Sequence, residues 1–157
     1  MTKQIFLFLF LAFIISSCCK KKEATPNLCA EPEIGMGDCI TDSNYVKPLL
    51  LGKWNWTQSI SSWTSTKTNP CTDSLNYTYE FLSNKDVKVF VNGNYSYTSH
   101  YAFVQTYTSE IDIHSDSIFT EHPGIYSANG AVRLCGNYLI IDNSPVDGPM
   151  HIFVKEN

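Results

Sequence analysis

The sequence predicts an all-β domain, an antiparallel up-and-down β-barrel of about eight strands, and three observations predict it. From Lys47 onward aromatic and β-branched residues recur at a spacing of two. Asn and Gly punctuate those runs every dozen residues or so. No window sustains the i, i+3, i+4, i+7 pattern of an amphipathic helix. Closing such a meander into a barrel removes its edge strands.

The elements follow in order. Residues 1–17 read as a secretory signal peptide: Lys3 gives a positive start, Ile5 to Ile15 an unbroken apolar run, and Ser16-Ser17 a small-residue cleavage site. Eleven apolar residues reach roughly 17 Å as a helix, short of the ~30 Å hydrocarbon core of a bilayer. Residues 18–46 are Lys-rich and then hold Pro, Glu and Gly with few large apolar residues, which reads as a tether. Residues 47–157 form the barrel domain. Trp54 and Trp56 share one face of a first strand near Gly52. Leu75, Tyr77, Tyr79 and Phe81 share a face of the next, and Val87, Val89 and Val91 follow. Asn92-Gly93 marks a type I′ hairpin. Past it Tyr95, Tyr97, Tyr101 and Phe103 return on one face of a long strand. Ile111 with Ile113, then Ile118 to Glu121, give shorter pieces. The pairs Val132/Leu134, Leu139/Ile141 and Ile152/Val154 close the chain, with turns at Asn129-Gly130, Gly136-Asn137 and Asp147-Gly148.

Composition bounds the function. Hydrophobic residues at 43% and aromatics at 13% argue for a packed core rather than disorder. Eleven basic residues stand against 15 acidic ones, and no basic patch carries interleaved aromatics. Nucleic acid is therefore not an expected partner. Cys29, Cys39, Cys71 and Cys135 form an even set in an exported chain, so disulfides are expected. Of the three pairings available, Cys29–Cys39 with Cys71–Cys135 is the favoured one. No C-x-x-C or H-x₃-H spacing supports zinc.

Two stretches resemble known families. Ile15-Ser16-Ser17-Cys18 resembles the lipobox of bacterial lipoproteins, which implies a triacylated, palmitate-bearing Cys18 as the mature N-terminus. Leu49-Leu50-Leu51-Gly52-Lys53-Trp54-Asn55-Trp56 resembles the opening strand of lipocalin-like domains, where Gly-x-Trp starts the barrel. Tyr79-Glu80-Phe81 with the Ser83-Asn84-Lys85-Asp86 turn resembles their second strand. Tyr138 to Asp142, then Asp147 to Lys155, resemble the last hairpin of the lipocalin-like lipoproteins of the Bacteroidetes. The resemblance spans about residues 47 to 157. It implies that Trp54 meets Lys155, or Arg133, in a cation–π contact. It further implies an outer-membrane protein, and Lys20 to Lys22 after the anchor favour the periplasmic face. A tether of about 28 residues would reach some 90–100 Å when fully extended.

Trp54, Trp56, Tyr77, Tyr79, Phe81, Tyr95, Tyr97, Tyr101 and Phe103 are the inward set of the expected barrel, and so its candidate ligand-binding residues. An eight-stranded barrel is either filled by such side chains or holds one small ligand. Asp112, His114 and Asp116 lie at i, i+2, i+4 with Glu110 in phase and His122 nearby. Their alternation with Ile111 and Ile113 explains them as a solvent-facing strand side, so no metal is assigned. His100 and His151 read as surface positions on the same ground. With no Gly-x-Ser-x-Gly, HExxH or phosphate loop, neither catalysis nor a cofactor is expected. Asp73-Ser74-Leu75 and Asp116-Ser117-Ile118 resemble the O-glycosylation sequon of Bacteroidetes exported proteins. The expected function is that of a membrane-anchored module binding a small hydrophobic ligand. The alternative is a solid-core interaction or scaffolding module acting through its loops on a protein partner.

Overall fold

The computed structural model describes residues 27–35, 37, 39–105, 111–115 and 130–156, with the backbone alone at 104–105 and 111–115. Residues 1–26, with Cys18, lie outside them, as do Ile118 to Glu121, Asp116 and His122. Among the described residues the fold is all-β. Ten strands make one sheet: β1 (Cys39–Ile40), β2 (Gly52–Ile60), β3 (Lys67–Thr68), β4 (Tyr77–Phe81), β5 (Asp86–Val91), β6 (Asn94–Gln105), β7 (Ile111–Ser115), β8 (Ala131–Cys135), β9 (Tyr138–Asp142) and β10 (Met150–Lys155). Two short helices, α1 (Ser43–Leu50) and α2 (Pro70–Asp73), and a 3-10 turn at Ser144–Val146 complete the elements.

Strand pairing is antiparallel throughout. From β4 to β10 each strand pairs with its successor; β2 pairs with β4, and β10 pairs with β2. Two minor strands flank this set. β3 lies on β2, while β1 lies on β8 at Leu134 and Cys135, beyond the two residues through which β8 meets β7. The β5–β6 turn is the expected one: Asn92 and Gly93 both hold positive φ, 51° and 78°, as a type I′ turn requires.

Two bulges reset the alternation. Between β2 and β10, Trp56 faces Phe153 but Gln58 faces Ile152, so Thr57 is the extra residue. Its Oγ1 donates to the Ile152 carbonyl at 3.0 Å. The strand re-enters phase one residue later, which brings Ser59 opposite His151. Between β5 and β6, Val89 faces Tyr97 but Phe90 faces Tyr95, leaving Ser96 unmatched. A one-residue slip sends following side chains to the other face. Tyr95 is accordingly 59% exposed, edge-on to Phe90 at 6.0 Å, rather than inward as the plain spacing of two implied.

The folded body begins ahead of the expected boundary at residue 47. Asp42 caps α1 by accepting the Asn44 N–H at 2.8 Å. Val46 and Leu50, at i and i+4, are fully buried against the core at the end of the sheet where β2 begins. The disulfides also differ from the favoured pairing: they join Cys29 to Cys71 and Cys39 to Cys135. Register is the reason. β1 sets Cys39 directly opposite Cys135, with Cα atoms 4.2 Å apart, so the short Cys29–Cys39 loop does not form.

Candidate functional site

The predicted aromatic face is a packed interior. Trp54, Trp56, Tyr77, Tyr79, Phe81 and Tyr101 are buried in one cluster, with Tyr97 and Phe103 packed against it. Their rings meet mostly edge-to-face: Trp56 with Tyr77 at 5.6 Å, Phe81 with Tyr101 at 5.3 Å, Tyr101 with Phe103 at 5.8 Å. Burial pushes the Tyr97 phenol up to about 12, with Tyr77 adding to the shift, and raises Tyr79 and Tyr101 as well. These hydroxyls therefore stay protonated. Among the described residues these rings pack against one another in one buried cluster.

At the end where α1 packs, Trp54 is held by two contacts. Its Nε1 donates to the Leu50 carbonyl at 2.6 Å, and the Lys155 ammonium stands 5.0 Å from its ring centroid. Lys155 in turn donates to the Leu49 carbonyl at 2.7 Å. Lys155, not Arg133, is thus the cation on Trp54; Arg133 lies 3.7 Å from Asp142. Beside this plug α1, the β4–β5 turn and β6 enclose a cleft of about 500 Å³. Pro48, Leu51, Tyr101 and Phe103 give its apolar wall, and Lys47 and Lys85 its charges. The Lys47 ammonium lies 5.4 Å from the Phe103 ring centroid.

The opposite end is polar. Trp56 Nε1 donates to Ser59 Oγ at 2.8 Å, and Ser59 Oγ lies 2.6 Å from His151 Nδ1. His151 is 1% exposed, not a surface residue, and burial pulls its pKa down to about 4. The ring is neutral at pH 7. Its Nε2 has no hydrogen-bond partner among the described residues. Above this pair an open pocket of about 430 Å³ is lined by Ser59, Ser61, Thr64, Thr66, Thr68 and Asp147, with Pro149. Trp63, 76% exposed, stands beside it and donates its Nε1 to the Asp147 carbonyl at 3.1 Å.

Sequence reasoning missed Lys47, Lys85, Ser59, Trp63 and His151. His151 had a usable signal, since it shares parity with Phe153, and Phe153 is the core residue of β10. The parity was obscured because Ile152 and Val154, on the other face, are buried too. His100 is exposed as expected and pairs with Asp86. The side chains of Glu110, Asp112, His114, Asp116 and His122 lie outside the described residues, among which no three His, Cys, Asp or Glu gather to hold a metal. No helix among the described residues is long and apolar enough to cross a membrane. No family model matches the chain, and no curated protein or solved structure matches it either.

Proposed function

We propose that this chain is a lipid-anchored, non-enzymatic binding module of the outer membrane, a lipocalin-like closed barrel taking an amphipathic acid at its helix-plugged end. One observation carries the ligand: the cleft of about 500 Å³ in which Lys47 and Lys85 flank the apolar wall of Leu51, Tyr101 and Phe103. Its volume lies within the roughly 300–1,000 Å³ of small-molecule sites. Two cations over an apolar floor suit a carboxylate or sulfonate with a hydrocarbon or planar body. The proposed ligand site is thus this cleft rather than the buried aromatic cluster. Closure is supported by strand pairing that runs in sequence order from β4 to β10 and by the β10–β2 and β2–β4 pairs. The lipocalin-like reading gains support from Lys155 over Trp54.

Cys18 is the lipid-bearing residue in this proposal, and the periplasmic face is the side on which Lys20 to Lys22 place the body. The Cys29–Cys71 bridge shortens the leash. Cys29 follows Cys18 by eleven positions, a reach of about 40 Å at most rather than the length of the full tether.

The test is displacement of anilinonaphthalene sulfonate by a long-chain fatty acid from the mature, delipidated protein. Saturable displacement that Lys47→Ala and Lys85→Ala each weaken supports the reading, and a probe indifferent to both substitutions overturns it. Palmitate labelling of the wild type but not of Cys18→Ser checks the anchor. The ring-on-ring packing of the buried aromatic cluster also favours a second reading, an interaction module without a small ligand. Its contact face would be the outer side of α1, where Tyr45 and Leu49 stand exposed at i and i+4.

A further inference from the structure

The polar end of the sheet carries a site independent of that cleft. We propose that the pocket between the β2–β3 hairpin and the 3-10 turn binds a neutral carbohydrate, with Trp63 as its stacking platform and Asp147 as its carboxylate. The hairpin loop, residues 61–66, is fixed by Ser61 N–H donating to the Thr66 carbonyl at 3.0 Å and Ser65 N–H to the Ser61 carbonyl at 3.0 Å. Ser65 sits at φ 55° to turn the chain there. This fold of the loop gathers hydroxyls on one wall. Ser61 Oγ accepts the Thr64 N–H at 3.4 Å, and Thr64 Oγ1 accepts the Thr66 N–H at 3.3 Å. Each hydroxyl that accepts from the backbone keeps its own proton to donate. The opposite wall is Asp147, held at φ 64° by the 3-10 turn, with the Asp147 N–H donating to the Ser144 carbonyl at 3.1 Å.

The chemistry of the lining selects the ligand. Its one formal charge is negative, and Lys67 of β3 pairs with Glu31, so an anion finds no cation there. A purely apolar ligand would strand the hydroxyls without partners, an unfavourable exchange for groups otherwise solvated. A polyhydroxy ligand matches both sides: its hydroxyls accept from Ser61 and Thr64 and donate to the Asp147 carboxylate. Trp63 supplies what hydroxyls alone lack. Its indole is exposed and tied to the Asp147 carbonyl of the pocket wall, which leaves an apolar ring beside the pocket for the C–H face of a pyranose to stack on. At the base, Ser59 is fixed by Trp56 and His151, and the His151 ring beyond it is buried with Nε2 unmatched among the described residues. The volume of about 430 Å³ falls in the small-molecule range.

The experiment titrates the mature chain with glucose, galactose, mannose, N-acetylglucosamine and their β- and α-linked disaccharides. Tryptophan fluorescence and calorimetry read it in parallel. Trp54 and Trp56 are buried, so Trp63 is the exposed reporter. The expected result is millimolar or tighter binding of at least one sugar that quenches Trp63. Trp63→Ala and Asp147→Asn should each weaken it about tenfold or more by calorimetry, with Trp63→Phe retaining most of the affinity. Lys47→Ala and Lys85→Ala should leave it unchanged, which separates this site from the cleft at the other end. Failure of every sugar to bind at tens of millimolar overturns the proposal. So does sugar binding that persists in folded Trp63→Ala and Asp147→Asn, or an acidic probe that Trp63→Ala displaces.

Discussion

His151 is the residue where burial and chemistry conflict most. A neutral imidazole is accommodated by Ser59 and Phe153, neither of them charged, and burial disfavours the imidazolium. Its folded pKa of about 4 lies below the ordinary 6.5. Between those values the unfolded chain binds a proton that the folded chain refuses. This contribution to stability is therefore complete above about pH 6.5 and is lost as pH falls toward 4, by about 3 kcal/mol across the window. Urea melts at pH 7, 5.5 and 4 should show that fall in the wild type, and His151→Gln should flatten it. An equal slope in both proteins would mean that other groups govern the acid side. At the same scale Tyr95 shows how spacing misleads. Its two-residue step from Tyr97 placed it inward, and only the unmatched Ser96 reveals that it turns out.

Elements were legible in the sequence where one face alternates with another. β4 reads buried at Tyr77, Tyr79 and Phe81 with partly buried residues between, and the sequence alone placed all three inside. β10 was not legible in this way, because His151, Ile152, Phe153 and Val154 are all buried and a strand covered on both faces has no period. α1 escaped for another reason. Eight residues with Pro48 among them bury only one i, i+4 pair, Val46 and Leu50, while Tyr45 and Leu49 stand exposed, so no one-sided periodic signal results. The helix nonetheless matters to the fold, since both residues are fully buried. Leu50→Ala should cost about 3 kcal/mol through lost contacts and the cavity left behind. Lys155 ties β10 to the same helix by its hydrogen bond to Leu49 and covers Trp54. Lys155→Met should lower stability by about 1–2 kcal/mol, and Lys155→Arg should recover most of it. Thermal melts of the three variants check both expectations; a neutral Leu50→Ala would mean α1 does not plug the end of the sheet.

Across the whole molecule the two disulfides decide how the N-terminal segment joins the sheet. Cys71 follows β3 at the end of the sheet where β2 finishes, while Cys135 ends β8 at the end where β2 begins. Cys29 is bridged to the first and Cys39 to the second, so these two cysteines lie toward opposite ends of the sheet. In the strand order, β10 and β9 lie between β2 and β8. Their Ile152, Val154 and Ile140 alternate with core residues and are nonetheless buried, so the outer face of these strands is covered. Chain connectivity could not announce this, because four cysteines allow three pairings and the β1–β8 register decides among them. The bridges span sequence separations of 42 and 96, for which loop-closure entropy gives about 4 and about 5 kcal/mol of stabilisation. Removing Cys29–Cys71 as the double alanine variant should lower the melting temperature and release one end of the segment. Amide exchange in β9 and β10 should then rise while that of β4 and β5 stays slow. Removing Cys39–Cys135 should cost more, since it also leaves β1 held to β8 by two residue pairs alone. Exchange rising evenly over the sheet in the Cys29→Ala/Cys71→Ala protein would show that the bridge stabilises the fold globally and that the segment does not cover β9 and β10.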